Sequence, residues 1–564
     1  MKNNHLSLCA ALAAACLLAG CATPPPVPPI ELNLVAFNDF HGHLEATKFS
    51  YTDRASGRPV SIQAGGIAAI GAALKAWRQE DKDLIFVGAG DLVGASPAMS
   101  SMWADEPSIT ALGKLGLNAS SVGNHEFDAG RAELLRQQYG GCASPRPAKA
   151  CQLAPGFAGA PFRYLAANVL DSATGKPILP AYTIVEAKGV KVALIGAVLR
   201  DTASVVMASS IVGLSFTDEA EAVNRAVLDA RAQGATVFVL MIHEGGHTVE
   251  AFDEPNCKQL KGPIVDIAGK LDPALRLIVS GHTHNGYQCE LGTRVITQAE
   301  MGGHALSRIK LTLDPATRTL RQIAVRNVAV RPGQYPADPA IDAYLATVKA
   351  RSKDALTRPV ARIAVPTVGR VASKSGETAL GDLVTDAFLA ATRAQGVQIA
   401  FTNMGGIRKD LDVGDDLSAE YGEAQIVLPF ANTLVAMDMT GAELRALLEQ
   451  QWMRAHADAK HSMLQVSHGF SYRWNPAAPA GKRLVAGSVK LNGEALDDNK
   501  SYRITTNNFL ADGGDGFPQF AKGRNRVDTQ IVDLDAFVAH LAEAERAGKP
   551  AGSHSTAGRI EQGK

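Results

Sequence analysis

The chain carries no net charge: 56 basic side chains meet 56 acidic ones across 564 residues. A general nucleic-acid binder has a basic excess, so no nucleic acid polymer is expected as a partner. Any anionic ligand must be held by local groups. No internal repeat and no long low-complexity region occurs, which sets repeat architectures and mainly disordered chains aside. The apolar run Leu6 to Gly20 is too short to span a bilayer comfortably. Cysteine is scarce, with 7 in the chain, and none sits in the polar clusters described below. With 46% hydrophobic and 20% charged residues, what remains is an ordinary globular chain, long enough for two or more domains.

Lys2 followed by the apolar run reads as a secretory signal. It ends in Leu18-Ala19-Gly20-Cys21, which resembles a bacterial lipoprotein box. That resemblance implies a lipid on Cys21, with ordinary cleavage nearby as the alternative. Ala22 follows where an aspartate commonly retains lipoproteins in the inner membrane, so an outer-membrane, periplasmic or surface-facing location is expected. Pro24 to Pro29 would be an extended spacer. Beyond the signal and Cys21, four cysteines remain: Cys142, Cys151, Cys257 and Cys289. An exported chain with an even remainder suggests disulfides. Three pairings are possible; the short loops Cys142–Cys151 and Cys257–Cys289 are preferred, against free buried thiols.

Leu34 to Phe37 is a fully apolar strand that runs straight into Asn38, Asp39, His41 and His43. The same event recurs. Asp83 to Ala89 ends in Gly90-Asp91, and Ser120 to Val122 in Gly123-Asn124-His125-Glu126-Phe127-Asp128. Thr236 to Ile242 ends in His243-Glu244, and Leu275 to Ser280 in Gly281-His282-Thr283-His284. Helical patterns such as Gly65 to Arg78 lie between. Strands alternating with helices imply an α/β core, whose ligands gather at the carboxyl ends of the strands.

Asp39, His41, Asp91, Asn124, His243, His282 and His284 offer nitrogen and oxygen donors without cysteine. One structural zinc needs four ligands, usually with cysteine. Seven such donors suit two divalent ions, zinc, manganese or similar, with a bridging carboxylate. Two ions about 3.5–4 Å apart can activate water and neutralise a phosphoryl group. Each motif alone is a common structural feature; five in order are not. His43 fits a supporting or surface role better than ligation.

These motifs resemble the calcineurin-type metallophosphoesterases, and the chain over roughly 31–560 resembles the bacterial 5′-nucleotidase/UDP-sugar hydrolase family. The resemblance implies an α/β fold: a four-layer metallophosphoesterase sandwich followed by a separate α/β substrate-binding domain. It implies that Asp39, His41 and His284 hold one metal, that Asp91 bridges, and that Asn124, His243 and His282 hold the other. His125 would face the phosphate, oriented by Asp128. Some bacterial relatives carry Gln where His284 stands.

Asp338-Pro339 opens a helix signal that runs to about Lys353. Further on stand Asn403-Met404-Gly405-Gly406-Ile407-Arg408, Pro429-Phe430-Ala431-Asn432 and Asn508-Phe509 to Asp515. Paired glycines admit a close ligand, and arginine grips phosphate with two parallel bonds. The nucleotidase resemblance implies that Phe430 and Phe509 sandwich the base. Asn432 would meet its edge, Asp515 the ribose, and Asn403 and Arg408 the nucleoside or phosphate side. One departure stands out: the phosphate-binding arginine that relatives often place just before Glu377 is absent, and Arg370 and Lys374 are the nearest cations. Thr440 to Glu443 reads as a capping box, and Leu534, Phe537, Val538 and Leu541 as an apolar stripe. His461, His468, His540 and His554 lack a supporting constellation.

The expected division is a lipoprotein signal over 1–20, a spacer over 21–30, the metallophosphoesterase domain over 31–335, a linker helix over 336–360 and the substrate-binding domain over 361–560. The expected function is a two-metal phosphohydrolase acting on nucleotides outside the cytoplasm. Domain closure would bring substrate to metal. UDP-sugar or 2′,3′-cyclic nucleotide hydrolysis are the alternatives within the family. A non-catalytic nucleotide-binding lipoprotein is the distant one.

Overall fold

The computed structural model describes residues 27–54, 56–453 and 463–563. Cys21, the signal and most of the spacer lie outside them, as does His461. The first domain is built on two six-stranded sheets. Strands β1 (Ile30–Phe37), β2 (Ile85–Ala89) and β3 (Ala119–Ser121) are parallel neighbours in one sheet. Strands β4 (Val237–His243) and β5 (Leu277–Ser280) are parallel neighbours in the other.

Alternation along each strand explains why it is apolar throughout. Successive side chains point to opposite faces. Leu32, Leu34 and Ala36 of β1 join Ile85, Val87 and Ala89 of β2, and Val237, Val239 and Met241 of β4, in a core between the two sheets. Val35 and Phe37 point the other way, onto the helix Ile67–Glu80. Phe238, Leu240 and Ile242 of β4 face the helices Glu219–Ala232 and Pro263–Lys270. Helix, sheet, sheet and helix thus form the four layers.

The helix Pro339–Leu356 begins on an Asp338 side chain that accepts the Ala340 N–H at 3.0 Å. Ile341 and Val348 bury against the first domain, so the connecting helix packs as part of that domain while leading out of it. The second domain centres on a five-stranded sheet in the order Gln465–Val466, Ile399–Thr402, Ser501–Asn507, Thr433–Thr440 and Arg524–Val532. The Thr440 hydroxyl accepts the Glu443 N–H and the Glu443 carboxylate accepts the Thr440 N–H, which completes the capping box. Leu534, Phe537 and Leu541 bury as one stripe, with Val538 half-buried beside them. Both expected disulfides, Cys142–Cys151 and Cys257–Cys289, are formed.

Candidate active site

The carboxyl ends of β1 to β5 meet at one place, and the seven candidate ligands stand there. Ligand atoms of Asp39, His41 and His284 lie within 4.8 Å of one another, and so do those of Asp39, Asp91 and His243. Asp91 lies between the groups, with Oδ2 3.0 Å from His243 Nε2 and 3.7 Å from His41 Nε2. Asn124 Oδ1 is 3.1 Å from His243 Nε2 and 3.0 Å from His282 Nδ1.

The surroundings aim these atoms. His41 Nδ1 donates to the Gly94 carbonyl at 2.9 Å, and His243 Nδ1 donates to the Ala89 carbonyl at 2.8 Å. Each ring therefore turns an Nε2 lone pair inward. His41 Nε2 and His284 Nε2 face each other at 3.1 Å. Lone pairs and carboxylates converging in a buried space call for cations between them. Burial drives His41 well below its usual range, and burial with His243 nearby takes His282 to about 3. Burial pushes the Asp91 carboxyl up, but His243, His125 and His41 outweigh it and hold it well below the carboxylate range. His41, His282 and Asp91 are thus in the donor states a divalent metal takes. Burial lowers His243 as well, but Asp91 outweighs it and raises His243 to about 10, so a cation there would displace its proton. The residues fit that group.

Two residues without an assigned role in the sequence reading brace the cluster. Glu126 accepts the N–H groups of Asp91, Leu92 and Gly123 at 2.9, 2.8 and 2.5 Å, tying two ligand loops together. Asn38 donates to Asp39 Oδ2 at 2.6 Å and accepts the Ala299 N–H at 2.7 Å. Backbone strain marks the same place. Asp39, His41, Asp91, His282 and His284 all have φ between 46° and 72°, a region non-glycine residues seldom occupy. The motif glycines have a steric reason: a Cβ on Gly123 would stand 2.1 Å from Asp91 Oδ1, and one on Gly281 2.7 Å from the Ala89 carbonyl. His43 is not on the surface. It is buried against His304, ring centroids 6.4 Å apart, outside the ligand groups.

His125 Nδ1 is 2.8 Å from Asp128 Oδ2, and the His125 N–H donates to Asp91 Oδ1 at 2.9 Å. Burial lowers this imidazole's pKa, but Asp128 and Asp91 more than offset it, so the net shift is upward.

The second domain closes over this end. Arg408 is half-buried, with Nη2 3.5 Å from His41 Nε2, and its guanidinium stands 5.7 Å from the Phe430 ring centroid. Phe430 stacks on His125, centroids 5.5 Å apart and planes 18° from parallel. Gln425 Nε2 donates to the Ser96 carbonyl and to Ser101 Oγ across the same boundary. Between the domains lies a cavity of about 340 Å³, and Asn403, Arg408, Phe430, Asn432, Phe509 and Asp515 all line it. Asn403 donates to Asp515 Oδ2 at 3.1 Å. Arg370 and Lys374 do not line it. The Arg370 guanidinium donates to the Arg408 and Met404 carbonyls at 3.2 and 3.4 Å, supporting the glycine loop from behind.

A calcineurin-like phosphoesterase model matches residues 32–286, and a 5′-nucleotidase C-terminal domain model matches residues 359–522. The chain belongs to the 5′-nucleotidase family. Within solved structures it is similar to the 5′-nucleotidase precursor from Thermus thermophilus, 27% identical with a TM-score of 0.75, over 94% of this chain and 99% of that one. An endonuclease of Bacillus subtilis (strain 168) is 30% identical over 92% of this chain, which spans 40% of that protein's length. A cell wall protein of Listeria monocytogenes serovar 1/2a is 28% identical over 97% of this chain and 72% of its own.

Proposed function

We propose that the chain is a two-metal phosphohydrolase that releases phosphate from nucleotides, acting outside the cytoplasm. One observation carries the reading. A converging set of metal donors, a half-buried arginine and two phenylalanines border the same interdomain space.

Asp39, His41 and His284 would hold one ion, Asn124, His243 and His282 the other, with Asp91 shared. Bound there, divalent ions supply Lewis acidity toward phosphoryl oxygens and lower the pKa of water. The protein's own groups do the rest. Arg408 enters without a carboxylate partner among the described residues, so its guanidinium is free to take a phosphoryl oxygen. His125, fixed by Asp128 at Nδ1, holds a proton on Nε2 for the leaving oxygen. Phe430 and Phe509 offer flat faces to a base, while Asn432 reaches its edge and Asn403 and Asp515 offer polar atoms to a ribose. The two disulfides suit an oxidising compartment, in keeping with export and a lipid on Cys21.

The test is phosphate release from AMP, ATP, a UDP-sugar and a 2′,3′-cyclic nucleotide, using metal-stripped protein with and without manganese or zinc. Metal-dependent release from AMP, abolished in His125→Ala, is expected. No release from any of the four by metal-loaded protein would sink the reading.

A further inference from the structure

The position before Glu377, where the expected phosphate-binding arginine is absent, has no room for a side chain. Gly376 has a φ of 93°, and an added Cβ would stand 2.2 Å from Met463 Sδ. Arg408 is left as the one lysine or arginine lining the interdomain cavity among the described residues. Where its guanidinium stands therefore decides how the second domain meets a phosphoryl oxygen.

The loop that carries Arg408 hangs from another loop. The Arg370 N–H donates to Asp410 Oδ1 at 2.7 Å, and the Arg370 guanidinium holds the Arg408 and Met404 carbonyls. Thr378 Oγ1 meets Met404 Sδ at 3.9 Å. The supporting segment, residues 370–378, is in turn pinned by distant parts of the chain. Gln562 Nε2 donates to the Lys374 carbonyl at 2.8 Å, and Trp474 Nε1 donates to the Ser375 carbonyl at 2.9 Å. Gln465 Nε2 donates to the Gly376 carbonyl at 3.0 Å.

Glu377 is the centre of this attachment. It is buried, and its carboxylate accepts the Arg559 and Ile560 N–H groups at 2.9 and 3.0 Å. Those groups open the strand Ile560–Gln562, which lies parallel to Phe470–Trp474. Beside it Asp382 accepts the Ala557 N–H at 2.8 Å, and the Arg559 guanidinium donates to Asp386 at 2.9 and 2.7 Å. A carboxylate buried to accept two backbone N–H groups fixes the position of a chain segment, because either partner left alone there is costly.

We propose that Glu377 is a positioning residue for Arg408: by clasping the last strand of the chain it sets the segment 370–378, and through Arg370 the loop that presents the guanidinium to phosphate. The inference rests on the reading that Arg408 takes a phosphoryl oxygen.

The experiment uses full-length, metal-loaded protein and the variant Glu377→Gln. Amide hydrogen exchange over residues 403–410 is expected to quicken about tenfold, while the helix Gly441–Gln450 of the same domain keeps its rate. The kcat/KM for AMP is expected to fall about tenfold, mainly through KM. In an Arg408→Gln background the same substitution should cost less than about twofold, since its effect runs through the arginine already removed. Unchanged exchange at 403–410, equal quickening of both segments, or equal losses in both backgrounds overturns the proposal. If Glu377→Gln does not fold, the exposed Gln562→Ala replaces it. That variant should show the same pattern at about two- to threefold, and its absence overturns the proposal equally. If wild type cleaves no nucleotide, the nucleotidase reading falls, and hydrogen exchange alone decides whether Glu377 places the loop.

Discussion

The two halves of the interdomain site are built to different standards. On the phosphoesterase side, Asp39, His41, Asp91, Asn124 and His243 are at most 3% exposed. Five ligand candidates sit in left-handed backbone, and Glu126 and Asn38 tie their loops together. On the nucleotidase side, Phe430, Phe509 and Asp515 are half-exposed and stand on a turn and two single-turn helices between sheet strands. Chemistry demands that donor atoms hold fixed distances, whereas a base stacked on a ring tolerates displacement. Rigid strand ends serve the first need, and exposed turns and single-turn helices the second.

Breaking the rigid half should have the largest effect. Asp91→Asn is expected to remove bound metal, measured by elemental analysis of purified protein, and turnover with it. His125→Ala should keep the metal and lower kcat about 10²–10⁴-fold; an equal loss of metal would merge the two roles. Glu126→Gln, which touches no substrate in the proposed scheme, should weaken metal affinity about 10–100-fold, read by chelator competition. The recognition half should answer differently. Phe430→Ala is expected to raise KM for AMP about tenfold through lost stacking, with kcat changing less. A kcat loss as large as that of His125→Ala would mean that the Phe430–His125 stack positions the proton donor.

Asp533 sharpens the contrast through pH. Its buried carboxyl lies beside Asn432 and is pushed up to about 7 by burial, against hydrogen bonds from Leu534 and Asn432. The folded state therefore holds a proton that the unfolded chain releases near its ordinary value of 3.8. Stability from this group is full below that value and falls as pH rises toward 7. Asp533→Asn keeps an acceptor for the Leu534 N–H and removes the titration. Its melting temperature relative to wild type should be higher at pH 8 than at pH 5; a constant difference would reject the assignment. The smallest effect is expected from Thr440→Ala, which deletes half of a capping box remote from both halves and costs about 1 kcal/mol in denaturant unfolding. Unchanged kcat and KM there would show that lost stability alone does not imitate lost recognition.

The rigid half was the more legible of the two in sequence. Apolar runs that stop at Asp, Asn or His announce strand ends, and strand ends converge in α/β sheets, so the seven candidates could be gathered before any coordinates. What holds them could not be read that way. Glu126 acts through four backbone N–H groups, and nothing in its spacing distinguishes it from a surface glutamate. Positive φ at Asp39 or His284 leaves no signature in side-chain chemistry. His43 looked peripheral because its partner, His304, is remote in sequence. On the recognition side, Phe430 and Phe509 were ordinary core candidates until the family resemblance singled them out. Arg370 and Lys374 stand nearest in sequence to the absent phosphate-binding arginine, yet the Arg370 guanidinium supports the carbonyls of the loop that carries Arg408.

The glycines beside the ligands bear on how such a chain can diverge. At Gly123 and Gly281 any side chain would strike an acid or a carbonyl of the centre, so single substitutions there are dead ends. Around Gly405 the nearest atom to an added Cβ is the Asn403 amide at 3.1 Å, a side chain that can yield. Mutational drift is thus channelled: lineages can explore new bases and leaving groups one residue at a time while the hydrolytic centre stays locked in place.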